Sequence, residues 1–146
     1  MRSAGSVTTE VLVCDTSGLI AYFDASDAHH GAVSTAVEAD PGPFIVSPYV
    51  LAELDYLLAT RRGVNAQLAV LRELTGGAWT LPCCEVNEVR EARDVVERYR
   101  DQDIGIADAS IVVLAGRFRT DRILTLDHRH FRVIRTVAGD SFSLLP

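Results

Sequence analysis

Five short strand-like segments recur along this chain, the first four separated from one another by pairs of helix-length segments. They are Val11–Cys14, Phe44–Val46, Trp79–Cys83, Arg122–Leu126 and Ser141–Leu145. Between them the pattern predicts helices over Ser17–Phe23, His29–Ala39, Pro48–Arg62, Asn65–Leu74, Asn87–Arg100 and Ile106–Phe118. Short β-branched strands alternating with helices are the mark of an α/β fold, because a largely parallel sheet needs helices to cover both faces. Local signals agree with this division. Asp40-Pro41-Gly42-Pro43 stops one helix, and Ser47-Pro48 starts the next with a capping hydroxyl and a proline at the first helical position. Gly63 and Gly76-Gly77 punctuate the segments that follow. The expected architecture is one α/β domain over residues 10–146, with a mostly parallel sheet of about five strands flanked by helices. Residues 1–9 read as a loose tail.

A chain of 146 residues suffices for one domain with its own core. Its apolar stretches are too short to cross a bilayer, and no apolar signal-peptide core follows Arg2, so a cytoplasmic location is the expectation. Three cysteines, two of them adjacent, make no disulfide framework, and Cys14 reads as a small buried hydrophobe. All fourteen basic residues are Arg. The formal net charge of −6 argues weakly against nucleic acid, but the charge is unevenly spread. Ala115 to Arg135 holds six Arg against Asp121 and Asp127, while Glu85 to Asp103 is acidic and reads as solvated helix surface. Arg117, Arg119, Arg129 and Arg132 are therefore candidates for contacting a phosphate backbone, since the guanidinium fork suits phosphate.

Four acids lie beside core-forming sequence. Asp15 ends the first strand, Glu53 lies in the helix after the second, Asp108 in the first turn of its helix, and Asp127 just beyond the fourth strand. Singly, each has an ordinary reading as a helix cap, dipole partner or turn residue. Together they fall where a parallel sheet places its functional crevice, at the carboxyl ends of strands. Two carboxylates ~5 Å apart repel by roughly 3 kcal/mol at an effective dielectric of ~20, so such a cluster calls for protons or cations. An all-oxygen set selects hard ions, Mg²⁺ or Mn²⁺, and one or two of them would suit hydrolysis of a phosphodiester by activated water. Asp103 reads as a loop acid and His130 as an exposed polar contact. Tyr49 and Tyr56 share the helical face of Glu53 and read as packing residues.

Receiver-type and haloacid-dehalogenase-like phosphotransfer domains also gather Asp residues around Mg²⁺, but both use a Lys, and this chain has none. A P-loop fails for the same reason and for want of its glycine-rich loop.

Asp15-Thr16-Ser17, Ser47-Pro48-x-Val50-x-Ala52-Glu53, Gly105-Ile106-Ala107-Asp108-Ala109 and Leu124-Thr125-Leu126-Asp127-x-x-His130-Phe131 resemble the motifs of PIN-domain proteins. Among these the chain is similar to VapC-type toxins of bacterial type II (VapBC) toxin–antitoxin pairs. The resemblance implies a Mg²⁺- or Mn²⁺-dependent endoribonuclease acting on structured RNA such as tRNA or the ribosomal sarcin–ricin loop. It implies Asp15, Glu53, Asp108 and Asp127 as catalytic metal ligands, with Thr16 or Ser17 as supporting hydroxyls. It further implies a homodimer that a small VapB-type antitoxin inhibits, as a heterotetramer or larger assembly. A non-catalytic PIN-like module that binds RNA or protein is the alternative, and retention of all four acids counts against it.

Overall fold

Leu12, Val13 and Cys14 have no solvent exposure, as a central strand covered on both faces requires. The computed structural model describes residues 10–146; the expected tail over residues 1–9 lies outside them. In chain order the elements are β1 (Leu12–Cys14), α1 (Thr16–Phe23), α2 (His30–Ala39), β2 (Phe44–Val46), α3 (Pro48–Arg62), α4 (Val64–Leu74) and β3 (Trp79–Thr80). Then come α5 (Val86–Arg98), a 3₁₀ turn (Arg100–Gln102), α6 (Ile106–Arg117), β4 (Arg122–Leu124), α7 (His128–Val133) and β5 (Ser143–Leu145). All strand pairs are parallel, in the order β3-β2-β1-β4-β5. The expected α/β fold is thus observed, with a fully parallel five-stranded sheet.

That order has a functional consequence. Chain progression runs outward from β1 through β2 to β3, then returns to place β4 on the other side of β1. The switch point therefore lies between β1 and β4, where Val13 pairs with Ile123 and Cys14 with Leu124. The helix with the most buried residues, α6, carries eight of them, from Ala107 to Ala115. It runs with its N-terminus at the carboxyl edge of the sheet, since its C-terminus leads into the start of β4.

The structure corrects several boundaries. The third strand stops at Thr80 rather than Cys83, because its partner β2 ends at Val46 and Pro82 offers no amide N–H. The fourth stops at Leu124 rather than Leu126, because hydroxyls of Ser17 and Thr125 capture the N–H groups of Leu126 and Asp127. The fifth begins at Ser143 rather than Ser141. The helix expected to reach Arg100 ends at Arg98 and tightens into the 3₁₀ turn. Residues read as a turn after Asp127 form α7, a six-residue helix too short for a periodic signal and anchored by the buried Phe131.

Gly18 fixes how closely α1 approaches β4. A Cβ there would stand 2.8 Å from Leu124 Cγ and 2.9 Å from its carbonyl oxygen. Gly18→Ala is expected to cost about 1–3 kcal/mol in urea denaturation. Gly31→Ala, with nothing within 4 Å of the added carbon, should be neutral or stabilising by up to about 1 kcal/mol. Equal midpoints for the two variants would contradict this packing.

Candidate active site

At the switch point the chain leaves β1 and enters α1 without a spacer, so Asp15 ends the strand path and caps the helix at once. Its Oδ1 accepts the Thr16 N–H at 2.8 Å, and its Oδ2 accepts the hydroxyls of Thr125 at 2.8 Å and Ser17 at 3.0 Å. Burial pushes the Asp15 pKa above the ordinary range; the donors from Thr125, Ser17 and Thr16 pull it back, and the Asp127 charge adds to the rise. The two hydroxyls, having spent their protons on Asp15, accept from the backbone beyond β4. Ser17 Oγ takes the Leu126 N–H and Thr125 Oγ1 takes the Asp127 N–H, both at 2.9 Å. One carboxylate therefore determines where the β4 segment turns.

That turn delivers Asp127 as the N-cap of α7, with its Oδ1 accepting the His130 N–H at 3.4 Å. Asp108 stands in the first turn of α6, where the helix dipole favours an anion. Its pKa is raised from 3.8 to about 6, first by burial, then by the charges of Asp15, Asp127 and Glu53, with His130 acting against them. Glu53 reaches in from the second turn of α3, and its Oε1 accepts the Thr16 hydroxyl at 2.6 Å. A buried Ser47–Ser110 hydroxyl contact of 2.7 Å, with Ser110 also donating to the Ala107 carbonyl, ties the start of α3 to α6. Asp108 thus feels the other three acids, and all four face one edge of the sheet.

The sequence placed all four acids beside core, but the structure buries only Asp15. Asp108 and Asp127 are half-buried and Glu53 is exposed. Among the described residues, no three His, Cys, Asp or Glu side chains already stand close enough to hold an ion between them. In kind, however, the carboxylates suit a hard divalent cation, which would relieve the mutual repulsion that adds to burial in raising Asp108.

The candidate Arg residues separate into two groups. Arg129 and Arg132 are exposed on α7, immediately beyond Asp127, with no ion pair among the described residues. Arg117 and Arg119 lie at the far end of α6, beside the starts of β1 and β4. Arg117 pairs with Glu88 and donates to the Cys83 carbonyl. They do not join the acids. Two residues entered differently from expectation. Thr125, a hydroxyl inside the apolar run before Asp127, was missed. His130 is not an exposed contact: its side chain is 16 % exposed, with Nδ1 3.0 Å from Asp127 Oδ2 and 4.0 Å from Asp108 Oδ2. Tyr49 packs on the core, whereas Tyr56 is largely exposed.

Comparison with known proteins decides the family. The profile described as PIN domain matches residues 12–136. The chain is 55 % identical over 135 residues to ribonuclease VapC26 of Mycobacterium tuberculosis (strain ATCC 25618 / H37Rv), covering 92 % of this chain and all of that one. The chain belongs to the PIN-domain family, in its VapC branch. Among solved structures, this PIN domain superposes on M. tuberculosis VapC20, described as a sarcin–ricin loop cleaving toxin. The TM-score is 0.75 at 21 % identity, covering 80 % of this chain and 90 % of that one. It also superposes on VapBC2 of Rickettsia felis bound to a promoter DNA fragment, with a TM-score of 0.68 at 14 % identity over 93 % and 99 % of the two chains. No helix among the described residues of the PIN domain is long and apolar enough to cross a membrane.

The raised Asp108 pKa carries a pH signature. The folded chain binds that proton more tightly than the unfolded chain, so its contribution to ion-free stability falls as pH rises from about 4 through about 6. In EDTA, Asp108→Asn should therefore be more stable than wild type at pH 7, with the gap closing toward pH 4. Urea denaturation across that range measures it, and a variant less stable at pH 7 would contradict the electrostatics.

Proposed function

We propose that this PIN domain is the toxin of a VapBC-type pair, an endoribonuclease that hydrolyses phosphodiester bonds in structured RNA with Mg²⁺ or Mn²⁺. The observation that carries the reading is the network at the switch point that ties Asp15 to Asp127 through Thr125 and to Glu53 through Thr16, with His130 lying between Asp127 and Asp108. Asp15, Asp108 and Asp127 are assigned as ligands of one or two ions, and Glu53 as a ligand or as the acceptor that orients the attacking water. A bound ion would supply an activated water and neutralise charge at the scissile phosphate.

The chain's own groups fit the remaining tasks. Three donors meet the buried Asp15 carboxylate, and Thr16 steadies Glu53 through a 2.6 Å hydrogen bond. In-line attack by water would break the P–O3′ bond, leaving a 5′-phosphate on one product and a 3′-hydroxyl on the other. Arg129 and Arg132 are suited to meet the RNA backbone beside the acids, whereas Arg117 and Arg119 face away. The relatives' names support the ribonuclease reading, and the likeness to VapBC structures supports a VapB-type antitoxin as the inhibiting partner. A homodimer is part of the same proposal.

Two measurements test it. On total RNA with mapped 5′ ends, Asp15→Asn and Asp108→Asn should each lower cleavage by at least about 10²-fold, and EDTA should abolish it in wild type. Undiminished cutting by both variants would overturn the assignment. In RNA binding, Arg129→Ala and Arg132→Ala should each reduce the slope of log affinity against log salt by about 0.7–0.9, leaving Arg119→Ala unchanged. A slope change confined to Arg119→Ala would move the RNA surface to the opposite edge.

A further inference from the structure

We infer that His130 is itself an ion ligand, through Nδ1, and that it biases the carboxylate site toward Mn²⁺ over Mg²⁺. The inference rests on the metal site proposed above and adds a nitrogen donor to a set of oxygens.

The geometry comes from α7. Because Asp127 caps that helix, the residue three positions on returns over the cap, and its ring lands among the acids. Nδ1 lies 3.0 Å from Asp127 Oδ2 and 4.0 Å from Asp108 Oδ2. It is shielded from solvent and has no hydrogen-bond partner. The contact with Asp127 has the length of an ion pair but not the direction of a hydrogen bond. A buried nitrogen in this position is costly unless something satisfies it.

A divalent cation shared with the carboxylates would satisfy that shielded nitrogen. The donor separations bear on this. In an octahedron with bonds of about 2.1 Å, adjacent ligands stand about 3.0 Å apart and opposite ones about 4.2 Å apart. Taken pairwise, the separations of Nδ1 from Asp127 and from Asp108 approach those two values, and the three groups would have to close further around an ion. Ligand chemistry then sets the preference. Mg²⁺ binds oxygen and keeps its waters, whereas a first-row transition ion accepts imidazole.

Pulsed electron paramagnetic resonance on the full chain with one equivalent of Mn²⁺ tests the assignment without any assay of activity. Wild type should show modulation from a directly bound imidazole ¹⁴N, replaced by a ¹⁵N pattern when the histidines are ¹⁵N-labelled. The signal should persist in His128→Asn and vanish in His130→Asn, which puts an amide oxygen near the same place. Calorimetry should show the ratio of Mn²⁺ to Mg²⁺ affinity falling at least about tenfold in His130→Asn. Mn²⁺ uptake without nitrogen modulation in wild type, or modulation surviving in His130→Asn, overturns the inference while leaving the carboxylate site intact. An equal loss of both ions in His130→Asn also overturns it, making the ring a positioning group. Uptake of neither ion by wild type overturns the metal site itself.

Discussion

A single buried carboxylate organises the active edge of this protein. Asp15 sits at the switch point of the sheet with almost no solvent, so its charge must be met by donors from the chain. Those donors are the first amide of α1 and two hydroxyls, one from α1 and one from the segment after β4. Each hydroxyl passes the constraint on by accepting a backbone N–H beyond β4, which ends pairing at Leu124 and turns Asp127 toward the cluster. Thr16 extends the same network to Glu53 on α3. Sheet, helix start and the placement of the acids are therefore coupled through one side chain. Its removal should disturb more than the position of one acid.

The electrostatics give that arrangement a purpose. The network's donors offset only part of the burial cost at Asp15, whose pKa still lies above the ordinary range, and Asp108 stands against three other acids with His130 opposing them. Stability alone gives no reason to gather four acids at one edge, since each added charge raises the proton affinity of its neighbours. The repulsion is relieved when a divalent cation is shared. On this account the strain in the ion-free chain and the affinity for the ion have the same origin.

Much of this was legible in the sequence, for identifiable reasons. Alternating short strands and capped helices announced a parallel α/β fold, and Ser47-Pro48 marked a helix start because a hydroxyl cap and a fixed φ are local properties. Asp15 and Asp127 were recognisable because both terminate strand-like runs. What escaped notice depended on contacts between distant segments. Thr125 looked like a β-branched strand residue, and only the approach of β1 and β4 makes its hydroxyl a donor to Asp15. His130 looked exposed because α7 was invisible: six residues give no helical period, and the helix forms around the Asp127 cap and the buried Phe131. Arg117 and Arg119 seemed to belong with Arg129 and Arg132 because they are near in sequence. The length of α6 and the path of β4 send the two pairs to different edges.

The most direct test of the central claim is crystallographic. Crystals grown with Mn²⁺ and measured near its absorption edge should show anomalous density about 2.0–2.3 Å from carboxylate oxygens of Asp15, Asp108 and Asp127, at the carboxyl ends of β1 and β4. Saturating Mn²⁺ with no anomalous peak there, or with a peak elsewhere and these carboxylates still apart, would contradict the account.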